Sequence, residues 1–220
     1  VSVRARLIPT RVPKDPEAVV VVLHGGGSRR GNMMVSPVQL SVLRMIPIAR
    51  KIARAGRRRV AVYRLLNSTR GWNTDHTPVD DAHWAIEHLR EKHGDLPTAL
   101  VGHSLGGRAA LLAGHHESVT SVVALNPYLY PQDGNADLRG RDVLMVHGTA
   151  DRVAPLRNAE IVADALSRTT NLSFVRVADG KHAMLSRHRV FSDLATDFVI
   201  ATVLGSAPSG VLAADDWQTV

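Results

Sequence analysis

Residues 18–23 read Ala-Val-Val-Val-Val-Leu, a run without one polar side chain. Successive side chains of a strand point to opposite faces, so a strand of this kind needs apolar cover above and below. It suits the interior of a parallel sheet with helices on both sides and excludes a sheet with one wet face. Residues 98–101, 121–125 and 143–146 are nearly as apolar, and residues 60–65 are interrupted only by Arg64. Residues 172–177 instead alternate, with Ser173 and Arg176 among apolar neighbours, which places them nearer an edge. A further edge strand is expected near residues 3–8.

Between these runs the apolar residues recur at helical spacing. Val79, Ala82, Ile86 and Leu89 form one stripe, with Asp80 and Asp81 in the first turn, where acids suit the helix dipole. Ile161, Val162, Ala165 and Leu166 form a second, opened by Pro155. Phe191, Leu194, Ala195, Phe198 and Val199 form a third. Leu40, Leu43, Ile46 and Ile52 predict a longer helix that Pro47 kinks or divides. Alternating strands and helices predict an α/β fold of three layers around a mostly parallel sheet of about six to seven strands. With 220 residues there is room for one such domain, assigned to residues 1–204. Residues 205–220 turn to small side chains with Pro208 and two acids, and are expected to form a C-terminal extension.

Composition excludes several classes. There is no cysteine, which removes disulfides, thiolate metal sites and a cysteine nucleophile. The formal charge is +7, yet much of the excess lies in Arg50, Lys51, Arg54, Arg57, Arg58 and Arg59, which read as a helix end and the turn after it. Three each of Trp, Tyr and Phe are too few for a base-stacking surface, so no nucleic-acid partner is expected. No run approaches the ~20 apolar residues that cross a bilayer, and charges occupy the N-terminal stretch where a signal peptide would be apolar. The expectation is a soluble, cytoplasmic protein with no membrane partner; its oligomeric state is not encoded in any pattern found.

The chemistry centres on Gly102-His103-Ser104-Leu105-Gly106-Gly107, which follows an apolar strand and precedes a helix of small residues. In that context a GxSxG pattern predicts a nucleophile elbow, with Ser104 lifted on a strained turn and glycine required at Gly102 and Gly106. The helix that begins at Leu105 aims its unpaired N–H groups at the same point.

With this motif the chain resembles an α/β-hydrolase, from about residue 18 to the last helix. The resemblance implies roles for three further segments. His24-Gly25-Gly26-Gly27 is similar to the HGGG loop of esterases and lipases, which implies an oxyanion hole at the amides of Gly26 and Leu105, with Gly27 as a substitute. His147-Gly148-Thr149-Ala150-Asp151 resembles the loop that carries the acid of the catalytic triad, implying Asp151. Asp179-Gly180-Lys181-His182 is a turn after the last long strand and implies His182 as general base. The order Ser104, Asp151, His182 is the order this superfamily uses. His24, His103 and His147 read as loop-packing residues, and His115-His116 lacks a companion at metal-ligand spacing, so no metal and no cofactor are expected.

Arg70 and Trp72, after the strand at residues 60–65, are candidates to meet a substrate carboxylate and to wall an acyl pocket; Arg29 and Arg30 raise the same idea of an anionic substrate. The segment 126–142 is too short and too broken by Pro127, Pro131 and Gly134 for a helical lid. Size and minimal architecture look similar to dienelactone-hydrolase-like proteins, although those commonly use cysteine where this chain has Ser104. The resemblance thus implies a serine hydrolase acting on a carboxylic ester or thioester of a small soluble molecule through an acyl-enzyme. The same residues also suit a peptidase, an acyltransferase, a perhydrolase or a non-catalytic binding protein.

Overall fold

The computed structural model describes residues 4–26, 35–69, 71, 77–205 and 218–220. In chain order the elements are β1 (Arg6–Arg11), β2 (Ala18–Leu23), α1 (Leu40–Leu43), α2 (Met45–Ala55), β3 (Val60–Leu66), α3 (Thr77–His93), β4 (Thr98–His103) and α4 (Leu105–Ala113). They continue with β5 (Val119–Leu125), a 3-10 helix (Pro131–Asn135), β6 (Asp142–Gly148), α5 (Leu156–Ser167), β7 (Asn171–Val177), α6 (His188–Leu204) and the two-residue β8 (Gln218–Thr219). One sheet holds all eight strands in the order β1-β3-β2-β4-β5-β6-β7-β8. Among the described residues only β1 runs antiparallel to its neighbour.

The apolar runs are explained by two cores. Val19, Val21 and Leu23 of β2 join Leu100, Val122 and Met145 beneath α3, α4 and α5. Ala18, Val20 and Val22 join Val101, Val123 and Leu144 against α2 and α6. Every residue of β2 and β4 is buried, so both faces of these strands are removed from water.

The edges follow the polar content. β1 has the exposed and half-buried pattern of an edge strand and carries Pro9, which has no N–H to donate. It begins and ends three residues later than the expected 3–8, and its register slips between Pro9 and Arg11. β7 is followed by β8, where Ala178 N–H donates to the Val220 carbonyl at 2.7 Å.

Two helix details differ from the expectation. The division falls at Arg44, before Pro47, and Pro47 sits in the first turn of α2, where a missing N–H removes no intrahelical bond. In α5 the inward stripe is Ala159, Val162, Ala163 and Leu166, with Ile161 turned out to solvent. The basic residues lie at the end of α2 and in the turn after it, where Arg11 donates to the Ala53 and Arg57 carbonyls and Arg59 pairs with Glu17.

From β2 the chain moves to β3 on one side and then to β4 on the other. Open parallel sheets form a crevice at such a reversal, outside the C-terminal ends of the strands. Here that crevice lies between His24 and Ser104. Among the described residues no large lid covers it, and the connection from β5 to β6 contains only the 3-10 helix. That connection is pinned by a buried bidentate pair in which Arg108 of α4 donates to Asp133 at 2.8 and 2.9 Å. Among the described residues no helix is long and apolar enough to cross a membrane.

Candidate active site

β4 runs into α4 without a spacer, and the single residue between them is Ser104. Its backbone is held at φ 57 and ψ −121, a region that non-glycine residues avoid. The turn is fixed from both sides: Ser104 N–H donates to the Leu125 carbonyl at 3.0 Å, and the Ser104 carbonyl accepts from Tyr128 N–H at 3.1 Å. A Cβ on Gly102 would lie 2.1 Å from the Gly106 carbonyl oxygen, and one on Gly106 would lie 2.5 Å from that of His24. Both contacts are with backbone that cannot yield, which is the physical reason for glycine at these two positions.

Three residues from three strand ends meet at this point. His182 Nδ1 lies 2.8 Å from Asp151 Oδ2, and His182 Nε2 lies 3.0 Å from Ser104 Oγ. A carboxylate accepts, so Nδ1 carries the proton and donates it to Asp151, leaving Nε2 to accept from the serine hydroxyl. The Asp151 side chain is fully buried and that of His182 is 17% exposed, so the acid is sealed while the imidazole edge opens to the crevice.

Burial by itself would raise the Asp151 carboxyl. Hydrogen bonds from His182 and from the N–H groups of Ala154 and Val153, the latter two at 2.9 and 2.8 Å, outweigh it and hold the group below the usual carboxylate range. Asp151 is therefore an anion at neutral pH.

The loops that carry Asp151 and His182 are laced together. Ala150 N–H donates to the Gly180 carbonyl at 3.0 Å, Thr149 N–H to the Val177 carbonyl at 2.9 Å and Asp179 N–H to Thr149 Oγ1 at 3.0 Å. A Cβ on Gly148 would stand 2.2 Å from the Gly180 carbonyl oxygen, so this approach depends on glycine.

The three other histidines of the strand ends are buried and neutral. His24 accepts from Asn67 N–H at its Nε2, so its Nδ1–H donates to the Gly25 carbonyl. Burial lowers its basicity. His147 donates to the Ala154 carbonyl at 3.1 Å, and burial lowers it as well. His103 is pushed down to about 3, first by burial and then by the neighbouring His182. It donates from Nε2 to the His182 carbonyl at 2.8 Å.

Asn126, at the end of β5, was not legible as a site residue. It is fully buried and contacts both the acid and histidine loops. Its only sequence signal is a polar residue closing an apolar strand before Pro127.

Gly26 follows β2 at the rim of the crevice, and Leu105 opens α4, so its N–H has no acceptor within the helix. Gly27, Arg29, Arg30, Arg70 and Trp72 lie outside the described residues. His115 and His116 sit beyond α4, where His83 stacks edge-on against His115 at 5.0 Å and His116 pairs with Glu87 at 2.7 Å. Among the described residues no group of three or more His, Asp or Glu side chains is arranged to hold a metal ion.

Known proteins bear on this arrangement. The profile of the Alpha/beta hydrolase family matches residues 20–218. None of the curated proteins compared with the chain matches it. Among solved structures, esterase 2 of Thermogutta terrifontis, phosphorylated by paraoxon, superposes with a TM-score of 0.67 at 16% identity, over 94% of this chain and 91% of that one. Est1E of Butyrivibrio proteoclasticus, bound to ferulic acid, gives 0.65 at 14% identity over 91% and 95%. A serine hydrolase without a lid from Xanthomonas campestris gives 0.62 at 17% identity over 96% and 98%. At these identities the likeness concerns the fold, and the profile match over nearly the whole length adds descent: the chain belongs to the alpha/beta hydrolase family.

Proposed function

We propose that the protein is a serine hydrolase that cleaves a carboxylic ester or thioester of a small molecule through an acyl-enzyme. One observation carries this reading: the unbroken hydrogen-bond chain from Ser104 Oγ to His182 Nε2 and from His182 Nδ1 to Asp151, ending on a serine held at a strained turn.

In the proposed reaction, His182 takes the proton of Ser104 as its oxygen attacks the carbonyl carbon. The anion that forms on the carbonyl oxygen is met by the amides of Gly26 and Leu105, with the positive end of α4 behind them. Asp151 holds the imidazole in the Nδ1–H form and stabilises it once it is charged. Collapse expels the alcohol or thiol, which takes its proton from His182. Water, deprotonated by the same imidazole, then attacks the acyl carbonyl, and collapse breaks the bond to Ser104 Oγ, which takes the proton back from His182 as the acid leaves.

An open crevice favours small esters that need no lid movement to enter. Similarity to Est1E and to esterase 2 of Thermogutta terrifontis supports an ester over an amide. Arg70 is proposed to meet a carboxylate of the substrate and Trp72 to wall the acyl pocket.

The test is a panel of p-nitrophenyl esters of increasing acyl length, with matched thioester and amide substrates. Turnover of short esters that disappears in Ser104→Ala supports the reading, and the chain length at which rate falls measures the depth of the pocket. Wild-type turnover in Ser104→Ala would end it.

A further inference from the structure

The proposed reaction requires His182 to keep its place within hydrogen-bond reach of Ser104, and the lacing to the Asp151 loop falls on residues 177, 179 and 180, before the histidine itself. Lys181 and Leu185 are exposed, and Asp179 and Met184 both have positive φ, at 56 and 58. The ring is engaged at its two nitrogens, by Asp151 and by Ser104. The backbone beneath it is held by two buried polar side chains from other strand ends.

Asn126 spends all its amide hydrogen-bonding groups on this junction. Its Nδ2 donates to the Lys181 carbonyl at 3.1 Å and to the His182 carbonyl at 3.2 Å, while its Oδ1 accepts from Gly148 N–H at 2.7 Å. The orientation of the amide is unambiguous, because a flipped group would set its oxygen against two carbonyl oxygens and its NH₂ against an N–H. The residue has a φ of 42, a left-handed conformation that asparagine tolerates better than other non-glycine residues, and its own N–H donates to the Val146 carbonyl. His103 supplies the second donor to the His182 carbonyl, at 2.8 Å. Both lone pairs of that oxygen are thus occupied, one from the residue adjoining Ser104 and one from the residue that also grips the strand leading to Asp151.

We propose that Asn126 and His103 are positioning residues that fix the main chain of His182, and through it the reach of the imidazole to Ser104. The inference rests on the reading of His182 as general base. Its physical content is that the three loops are registered to one another at the His182 carbonyl, apart from the bond between the imidazole and Asp151. Because His103 stays neutral through the working range of pH, it remains a single-proton donor there and adds no charge beside the imidazolium that forms in the reaction.

Aspartate at position 126 separates this role from space filling. Asn126→Asp keeps the volume and the acceptor toward Gly148, but turns an oxygen toward two carbonyls. Loss of reach of the order of 1 Å costs about 100-fold in rate. Asn126→Asp and Asn126→Ala are therefore expected to lower kcat on p-nitrophenyl acetate by about 10- to 100-fold with KM changed less than about twofold. His103→Leu should behave alike, and His103→Gln, whose amide N–H lies near the position of Nε2, should recover most of the loss. The substrate-free readout is the Nδ1–H proton resonance of His182 in Ser104→Ala protein, which should broaden or shift when Asn126→Asp is added. Should Asn126→Ala not fold, Asn126→Asp and the two His103 variants carry the test. Unchanged kcat in Asn126→Asp, a change confined to KM, or an unmoved His182 resonance would each overturn the proposal. If the wild-type protein turns over no ester, the reading of function fails, and the resonance still decides whether these residues hold the ring.

Discussion

Ser104 Oγ and His182 Nε2 lie 3.0 Å apart although 78 positions separate them in the chain. The distance is set by the sheet: β4 delivers the serine, β7 delivers the histidine, and β5 and β6 lie between and are bonded to both ends. A hydroxyl within direct reach of an imidazole whose far nitrogen is engaged by a carboxylate is poised to lose its proton to it.

Strain at the serine predicts a trade of activity against stability. A φ of 57 in a non-glycine residue costs of the order of 1–3 kcal/mol, and glycine removes most of that at an entropic cost of about 0.5–1 kcal/mol. Ser104→Gly should therefore abolish hydrolysis and raise stability by about 1 kcal/mol in urea titration. Equal or lower stability would show that the turn is not strained.

Buried histidines predict a pH dependence of stability. The His103 pKa falls from 6.5 to about 3 on folding, so between those values the unfolded chain binds a proton that the native state refuses. Stability then declines as pH falls through this window, by at most about 1.4 kcal/mol per pH unit from His103 alone, and levels off below about 3. His24 and His147, lowered by burial in the same way, add to the slope. Asp151 contributes in the same sense: its stabilisation is present above the ordinary carboxylate value and is lost as pH falls through its depressed one. In denaturant melts across this range His103→Gln should show a shallower slope than wild type.

The pair that holds down the β5 to β6 connection predicts a stability effect distant from the chemistry. Arg108 and Asp133 are both buried, Asp133 also accepts from Tyr130 N–H at 2.9 Å, and the guanidinium lies over the Tyr130 ring at 4.8 Å. Asp133→Ala takes the bidentate carboxylate from a buried guanidinium and should cost about 3–5 kcal/mol by chemical denaturation. A loss below about 1 kcal/mol would mean that water reaches the arginine.

How far the sequence led is clearest residue by residue. The β2 run was legible because burial on two faces leaves no choice but apolar side chains, and Gly102 and Gly106 were legible because backbone contact at a sharp turn admits no Cβ. The meeting of Ser104, Asp151 and His182 was implied by the resemblance to α/β-hydrolases, whose triad order these residues follow. The importance of Asn126 was not, since its partners are main-chain oxygens of a loop more than fifty residues away, and a carbonyl leaves no mark on sequence. The helix was expected to divide at Pro47 and divides at Arg44, because Pro47 tolerates a first turn as readily as it breaks an interior. The inward face of α5 was rotated: Val162 and Leu166 belong to either stripe, and Ile161 lies two positions from the buried Ala159, on the opposite side of the helix.

The most direct measurement is reaction with a fluorophosphonate followed by peptide mass spectrometry. The account predicts a stoichiometric mass increase on the peptide containing Ser104, no labelling in Ser104→Ala, and labelling slowed by about 10³-fold or more in His182→Ala. A wild-type protein that stays unlabelled at Ser104, or one labelled as fast without His182 as with it, would contradict the claim that these two side chains form an activated nucleophile.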